Sequence, residues 1–188
     1  MIRLIENFDS IDWGGGKSTE LFIFPETGSY QSRDFSFRLS TATVEIEESV
    51  FTPLAGVQRK LMVLDGEMHL SHENQHETLL GKFDVDEFDG GWITKSKGCC
   101  TDFNLMLKGG AKGSLKGLTL KDKEKLDGEF FGNHFFVWVF SGEVQILFGE
   151  KEFSLKEKEL LYISEAMSGR VSMEGKAPSD LVVLDILL

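Results

Sequence analysis

The stretch Val63-Leu-Asp-Gly-Glu-Met-His-Leu70 recurs 76 residues later as Val139-Phe-Ser-Gly-Glu-Val-Gln-Ile146. Each copy runs from apolar residues into a Gly-Glu pair and out again, which is typical of a tight connection between two antiparallel strands. A second landmark follows each copy at a similar distance: Asp102-Phe-Asn-Leu-Met-Leu107 after the first and Asp180-Leu-Val-Val-Leu-Asp185 after the second. The repeat predicts one structural unit that is built twice.

Most of the chain carries the pattern of short strands, as in Phe35-Ser-Phe-Arg-Leu-Ser-Thr-Ala42, and the 20 glycines supply turns. Weak helical periodicity is confined to residues 121–126. With the repeat, this pattern predicts an all-β bicupin, in which two antiparallel cupin-like β-barrels of the jelly-roll type pack as one unit. We expect residues 1–107 to form the first barrel with N-terminal strands and the ligand pocket, 108–114 a linker, and 115–188 a second, structural barrel.

The composition limits the partners and the location of this chain of 188 residues. Its net charge of −11 disfavours nucleic acid and anionic membranes. No apolar run approaches the roughly 20 residues that cross a bilayer, and the N-terminus has no apolar signal-peptide core. Cys99 and Cys100 are sequence neighbours and give no disulfide framework, which leaves reduced thiols or, as the alternative, a vicinal redox switch. We expect a cytoplasmic protein that binds neither nucleic acid nor membrane.

The histidines do not match the ligands of cupin enzymes, which mostly hold a metal through a His-x-His pair, a downstream Glu and a later His. His69 and His72 are three residues apart, so strand alternation places them on opposite faces. His76 follows Glu-Asn-Gln, which is typical of a hairpin tip and favours solvated turn histidines over a metal site. We therefore expect no metal and no cofactor.

The stretch Gly14-Gly-Gly-Lys-Ser-Thr19 resembles the end of a phosphate-binding loop. That motif needs a further glycine where this chain has Ile11, and it needs a buried strand before it and a helix after it. The pattern shows neither element. We interpret the glycines as a loop that enters a strand.

The strand at residues 35–42 carries the first part of a candidate ligand pocket. Alternation places Arg38 and Ser40 on the face opposite Phe37 and Leu39. Small hydroxyl side chains leave room around the guanidinium, whose planar fork can bind a carboxylate through two parallel hydrogen bonds. This face therefore predicts recognition of a carboxylate.

Asp102 and Asn104 share one face of a later strand and complete the candidate pocket. An amide both accepts and donates, so Asn104 suits a ligand amide or formamide, and Asp102 is placed to orient an arginine. In the structural alternative, Arg38 and Asp102 form only an ion pair, Asn104 bonds backbone at a barrel rim and Arg59 points into water. We assign no catalytic residue, and the candidate ligand-binding residues are Arg38, Ser40, Arg59, Asp102, Asn104 and His69.

Six motifs follow one another in the order seen in the HutD/Ves family. They are Gly14-Gly-Gly-Lys-Ser-Thr-Glu-Leu21, Phe35-Ser-Phe-Arg-Leu-Ser-Thr-Ala42, Gly56-Val-Gln-Arg59, Leu64-Asp-Gly66, Phe88-Asp-Gly90 and Asp102-Phe-Asn-Leu-Met106. The chain resembles that family through these motifs over about residues 11–107 and through architecture alone over 108–188. It departs from the family at Trp13, where many members have Asn, and at Ala55, where many have Pro.

The resemblance implies a bicupin without the usual metal ligands, encoded in some bacteria beside histidine-degradation genes and proposed to sense or buffer an intermediate such as N-formylglutamate. It implies a non-enzymatic protein that binds a small carboxylated metabolite and is linked to the regulation of histidine or amino-acid utilisation. Two alternatives stay open: a metal-independent isomerase or hydrolase with Asp102 as base and Arg38 as anion stabiliser, and a scaffold with a vestigial pocket. The expected partner is the metabolite, and the assembly we allow for is a homodimer.

Overall fold

A computed structural model describes residues 1–164 and 168–188. Within those ranges the chain forms strands joined by turns and loops and contains no helix, which confirms the predicted all-β fold. None of the described residues forms a helix that could cross a membrane. In chain order the strands are β1 (Ile2–Ile5), β2 (Ser10–Asp12), β3 (Gly16–Phe24), β4 (Phe37–Val44), β5 (Glu48–Val50), β6 (Val57–Gly66), β7 (Met68–His72), β8 (Glu77–Leu80), β9 (Val85–Asp89), β10 (Thr94–Lys97), β11 (Cys100–Lys108), β12 (Lys112–Leu120), β13 (Lys125–Phe130), β14 (His134–Ser141), β15 (Glu143–Phe148), β16 (Lys151–Lys156), β17 (Leu160–Ser164), β18 (Gly169–Gly175) and β19 (Ser179–Leu187).

The chain divides into two compact units. The first unit is Phe8–Ala111, and the second unit is Met1–Asn7 together with Lys112–Leu188. This division differs from the predicted one at the N-terminus, because β1 pairs antiparallel with β17, with Ile2 opposite Ile163. The first strand of the chain therefore belongs to a sheet of the second unit.

Each unit contains two antiparallel sheets. In the first unit a six-stranded sheet has the order β2-β3-β4-β11-β6-β9, and a four-stranded sheet has the order β5-β10-β7-β8. In the second unit a five-stranded sheet has the order β1-β17-β14-β19-β12, and a four-stranded sheet has the order β13-β18-β15-β16.

The duplicated sequence is accompanied by a duplicated pattern of strand pairing. Every pairing among β4 to β11 recurs among β12 to β19 with each strand number raised by eight, so that β4 with β11 corresponds to β12 with β19. The units differ in what is added: β3 and β2 extend the first beyond β4, whereas β1 extends the second beyond β17. The prediction of one unit built twice therefore extends to the sheet topology.

The Gly-Glu turn of each copy joins two sheets, so the predicted pairing of its flanking strands is wrong. β6 pairs with β9 and β11, and β7 pairs with β8 and β10. Gly66 and Gly142 adopt φ angles of +81° and +87°, in the region that favours glycine, and turn the chain out of one sheet into the other. The turn also packs closely, since a Cβ on Gly142 would lie 2.3 Å from the carbonyl oxygen of Pro178.

Candidate functional site

Three neighbouring strands of the six-stranded sheet, β4, β11 and β6, supply the candidate site. Their register forms three rows of side chains: Arg38, Met106 and Arg59; Ser40, Asn104 and Leu61; and Ala42, Asp102 and Val63. Residues two apart on a strand face the same side of the sheet, so the rows lie on one face. Because neighbouring strands are about 4.8 Å apart, the Cα atoms of the two arginines are separated by about 10 Å across β11.

A cavity of about 310 Å³ lies over this face, within the first unit. Five of the six predicted ligand-binding residues line it, and β4 presents Arg38 and Ser40 to it as the alternation predicted. Aromatic side chains from other segments complete the wall. The polar residues of the wall include Arg38, Ser40, Arg59, Asp102 and Asn104, and the aromatic ones are Trp13, Tyr30 and Phe51.

Arg38 is paired with a carboxylate that the sequence analysis did not identify. Its Nε donates to Glu20 Oε2 at 2.6 Å, and its Nη1 donates to Ser40 Oγ at 2.9 Å. Its Cζ lies 4.4 Å from the centre of the Tyr30 ring. Glu20 lies on the neighbouring strand β3, opposite Ser40. Arg38 pairs with Glu20, and the Arg38–Asp102 ion pair considered as an alternative is not formed. Glu20 lies within the Gly14 to Leu21 motif, which is the one sequence signal that could have identified it.

Arg59 is buried between rings and has no charged partner in contact within the part of the chain that the structure describes. Its Cζ lies 4.7 Å from the centre of the Phe51 ring and 5.2 Å from that of Phe88. Its Nε is buried without a hydrogen-bond partner among the described residues. Burial lowers the pKa of Arg59 to about 10, although the nearby charge of Asp102 acts in the opposite direction. The guanidinium is therefore cationic at neutral pH and buried, so the alternative in which it points into water is wrong.

Asp102 is 5% exposed, and its carboxyl accepts no hydrogen bond from residues 1–164 or 168–188. Burial raises the pKa of Asp102 to about 7, and the charge of Arg59 acts in the opposite direction. At neutral pH this carboxyl is therefore present in both its neutral and its ionised form. It can donate a hydrogen bond in the first form and accept a proton in the second.

Asn104 leaves an acceptor open beside the two charges. Its Oδ1 atom is buried and has no hydrogen-bond partner among the described residues. The alternative in which this side chain bonds backbone at a barrel rim is not observed in that part of the chain. An unsatisfied buried carbonyl is costly, by about 1–3 kcal/mol, and a donor on a ligand would satisfy it.

His69 lies apart from the other predicted residues. It points outward from β7, where its Nε2 is 3.6 Å from a carboxylate oxygen of Glu77. It lines a different hollow, of about 660 Å³, together with Lys95 and Lys97. The structure therefore does not bring His69 to the cavity that holds the arginines.

His72 faces inward from the same strand, so the predicted placement of His69 and His72 on opposite faces is confirmed. It is 2% exposed, and its ring nitrogens contact Thr94 Oγ1 at 2.8 Å and Asp86 Oδ2 at 2.7 Å. The expectation that the histidines of this segment are solvated is therefore wrong for His72. The sequence signal for the burial of His72 was its position two residues after the apolar Leu70, because residues two apart on a strand share a face.

The glycine loop forms a hairpin between β2 and β3, as a loop that enters a strand. Trp13 N donates to Gly16 O at 3.1 Å, and Gly14 has a φ of +77°. Gly16 passes so close to β4 that a Cβ there would lie 1.9 Å from the Thr43 carbonyl oxygen. Trp13, in the same hairpin, lines the cavity.

Of the two cysteines, Cys99 is exposed and Cys100 is buried. Burial raises the pKa of the Cys100 thiol to about 12, and the nearby charge of Asp102 acts in the same direction. The thiolate is the nucleophilic form, so Cys100 is unreactive at neutral pH. This observation favours reduced thiols over a vicinal redox switch.

The second unit has apolar residues at three positions that are polar on the corresponding face of the first unit. Strand pairing places Phe135, Leu181 and Val183 where the first unit has Arg59, Asp102 and Asn104. Phe135 and Leu181 are buried in the apolar core of that unit, and Val183 packs against it. Asp180 does not take the place of Asp102, because it pairs with Ser141 and so stands where the first unit has Thr101, beside the same irregularity in the strand pairing. The buried Arg59, Asp102 and Asn104 therefore have no polar counterparts at the same positions of the second unit.

The antiparallel sheets of this all-β chain form a cupin-like fold, and a cavity lined by side chains lies on one of them. A family model described as HutD matches residues 6–182, and the chain belongs to the HutD family. The predicted family is thereby confirmed. The match also covers most of the second unit, where the sequence motifs were lacking.

Solved structures with the same fold include two from Pseudomonas. The conserved protein of unknown function PA5104 from Pseudomonas aeruginosa PAO1 is 20% identical, with a TM-score of 0.88 and 100% of each chain covered. HutD from Pseudomonas fluorescens SBW25, in a formate condition, is 21% identical, with a TM-score of 0.73 and 98% of each chain covered. Bacterial pirin YhhW from Escherichia coli, in complex with nickel(II), is 13% identical, with a TM-score of 0.72 and 98% of each chain covered. At these identities the likeness shows the fold alone, and no curated protein matches the sequence.

Proposed function

We propose that this protein is a non-enzymatic binding protein of the HutD type that recognises a small carboxylated metabolite in the cavity of the first unit. One observation carries the proposal. The cavity is lined by buried Arg59 and Asn104, and each has a buried polar atom, Nε and Oδ1 respectively, without a hydrogen-bond partner in residues 1–164 and 168–188. Buried polar atoms are nearly always paired, so an unpaired donor beside an unpaired acceptor favours a ligand that satisfies both.

The two open atoms define the chemistry of that ligand. Arg59 is cationic and suits a carboxylate, which its planar fork can bind through two hydrogen bonds. Asn104 Oδ1 accepts a hydrogen bond and suits an N–H group on the same molecule. N-formylglutamate carries both groups, and formate, the stated condition of the Pseudomonas fluorescens HutD structure, is the smallest carboxylate.

We extend the proposal to the role of each unit. The duplicated strand pairing supports a bicupin of two cupin-like halves, in which the first half binds the ligand and the second is structural. The apolar side chains of Phe135, Leu181 and Val183, at the positions of Arg59, Asp102 and Asn104, support the structural role of the second. A link to the regulation of histidine or amino-acid utilisation follows from the family resemblance, and the cytoplasmic location and the homodimer stay predictions.

A thermal-shift screen of the full chain with N-formylglutamate, glutamate, urocanate and formate tests the binding. A ligand at 100 times its dissociation constant stabilises the fold by about 2.7 kcal/mol. We expect Arg59→Met to lose most of this shift. Arg170→Met is the matched control, since Arg170 is exposed in the second unit and pairs with Glu129. The proposal is wrong if none of the acids raises the melting temperature, or if Arg59→Met responds as the wild type does.

Asp102 supports a second candidate function, a metal-independent isomerase or hydrolase. It is a buried carboxyl without a hydrogen bond from the described residues, and a pKa of about 7 is suited to general acid–base catalysis. Arg59 is the better anion stabiliser in this scheme, because Arg38 already pairs with Glu20. Proton NMR of each bound acid over several hours distinguishes the two functions. Turnover that Asp102→Asn abolishes supports the enzyme, whereas binding without turnover supports the binding protein.

A further inference from the structure

A cluster of two histidines and one aspartate lies in the first unit, among residues that do not line the arginine cavity. His72 Nε2 is 2.7 Å from Asp86 Oδ2, and His76 Nε2 is 2.9 Å from Asp86 Oδ1. One ligand atom from each of the three residues can be chosen so that all lie within 4.8 Å of one another. The two imidazole rings thus contact one carboxylate, each through a different oxygen atom.

The backbone holds this cluster in place from both sheets of the unit. His72 ends β7, and the turn that follows returns to it, since His72 N donates to His76 O at 2.9 Å and Gln75 N donates to His72 O at 3.0 Å. Asn74 takes a φ of +60°, which closes the turn. Asp86 lies on β9 of the other sheet, where it stands opposite Leu61 of β6. The donors are therefore fixed by secondary structure.

The orientation of His72 is set by its second nitrogen. Nδ1 lies 2.8 Å from Thr94 Oγ1, and Thr94 stands opposite His72 in the pairing of β10 with β7. When Nδ1 carries the proton and donates it to the Thr94 hydroxyl, Nε2 is free to bind a cation. Such a contact to the distant ring nitrogen is the usual way in which a protein fixes a metal-binding histidine.

The burial of the three side chains is graded. The His72 side chain is fully buried and the Asp86 side chain is 11% exposed, whereas the His76 side chain is 40% exposed. The Phe88 and Trp92 rings flank His72, with centroids at 4.5 and 5.6 Å. An ion could therefore enter on the His76 side and be held between apolar rings on the other.

We propose that His72, His76 and Asp86 form a binding site for one divalent transition-metal ion. Two imidazole nitrogens and one carboxylate are a donor set that Zn²⁺, Ni²⁺ and Co²⁺ accept and that Mg²⁺ and Ca²⁺ do not prefer. The ion takes the place of the imidazole protons that now face Asp86, and three protein donors leave at least one coordination position open. The net charge of −11 of the chain favours a cation.

Zn²⁺ and Co²⁺ titrations of tag-free, chelator-stripped full-length protein test this site. We expect one equivalent of Zn²⁺ to bind, and one equivalent of Co²⁺ to give visible absorption bands of a site with nitrogen ligands. His76→Gln is the diagnostic variant because the residue lies at a turn and is partly exposed, so the fold tolerates its loss. Removing one of three ligands should weaken Zn²⁺ at least tenfold.

His69→Gln is the matched control, since His69 is on the same strand but faces outward against Glu77. It should leave the Zn²⁺ affinity unchanged. Asp86→Asn should weaken Zn²⁺ as His76→Gln does, and both variants are checked for a wild-type circular dichroism spectrum. The proposal is overturned if wild type binds no stoichiometric metal, or if His76→Gln binds Zn²⁺ as tightly as the wild type.

Discussion

Arg38 binds Glu20, with 2.6 Å between Nε and Oε2, so one of the two cavity arginines already holds a carboxylate of its own chain. Arg59, on the other side of β11, has no carboxylate in contact among the described residues. The two arginines are therefore unequal. Arg59 offers the stronger attraction for an incoming anion, and Glu20 moderates the attraction of Arg38.

Removing the charge of Glu20 should strengthen anion binding. With Glu20→Gln, Arg38 no longer shares its guanidinium with a carboxylate, and we expect a carboxylate ligand to bind roughly threefold to fivefold more tightly, or about 1 kcal/mol. Isothermal titration calorimetry with the acid that gives the largest thermal shift measures this change. Glu47→Gln is the control, because it removes one charge from an exposed residue of the same unit. Equal affinities in the two variants would contradict the role assigned to Glu20.

The free energy of unfolding should depend on pH because Asp102 titrates. Burial raises its pKa from 3.8 to about 7, so the folded state favours the neutral carboxyl. The resulting stabilisation is complete below pH 3.8 and is lost as the pH rises to about 7. Asp102→Asn lacks this loss, so its stability relative to the wild type should improve between pH 5 and pH 8 by on the order of 2 kcal/mol. Urea denaturation of both proteins at the two pH values measures it, and a constant difference would contradict the shifted pKa.

The affinity for a carboxylate ligand should also depend on the protonation state of Asp102. An anion beside Arg59 is repelled by ionised Asp102, so the affinity for a carboxylate should fall as the pH rises through about 7. In Asp102→Asn the affinity should be flat from pH 5.5 to 8.5. Calorimetric titrations across this range check both profiles. A wild-type profile that is also flat would place the ligand away from Asp102.

A substitution of Asn104 should affect ligand binding and the stability of the fold in different directions. Asn104→Leu keeps the branched shape and the number of side-chain heavy atoms, and it removes a buried acceptor that has no partner among the described residues. We expect the unliganded variant to be as stable as the wild type or more stable by about 1 kcal/mol, because the cost of the unpaired carbonyl disappears. The thermal shift with an N-acyl ligand should nevertheless shrink. A strong loss of stability without ligand would indicate instead that Asn104 has a structural partner.

The turn between sheets should be sensitive to a single methyl group. Gly142→Ala places a Cβ 2.3 Å from the Pro178 carbonyl oxygen in a residue with positive φ, and it should destabilise the fold by more than about 2 kcal/mol. Gly149→Ala is the control, since Gly149 also has a positive φ of +61° but no atom within 4 Å of the added Cβ. It should cost about 1 kcal/mol. Similar losses in thermal melts of the two variants would show that the close contact relaxes.

The sequence predicted best the features that depend on a single strand, namely which side chains share one face of it. The period of two along β4 and β11 placed Arg38 with Ser40, and Asp102 with Asn104, without knowledge of any neighbouring strand. The structure confirms these faces in the cavity wall. The family motifs added Arg59, whose inward orientation no local pattern required.

Contacts between distant segments were the part that the sequence could not predict. Glu20 meets Arg38 through the register of β3 on β4, which shifts between Glu20 and Phe22. Asp86 reaches His72 from the other sheet of the unit. The helical periodicity at residues 121–126 was also misleading, because Lys125 already begins β13, whose pairing with β18 overrides a weak local preference.

The N-terminal strand gives the chain an unusual order of assembly. During synthesis β1 emerges long before its partner β17, and the Met1 amino group also contacts Ser164 O, at the end of β17, at 2.8 Å. Units generally fold as they leave the ribosome, so the first unit can fold while β1 remains unpaired beside it. Until β17 has been synthesised, β1 lacks its partner strand. A late strand therefore captures an early one, and no single cut separates the two units.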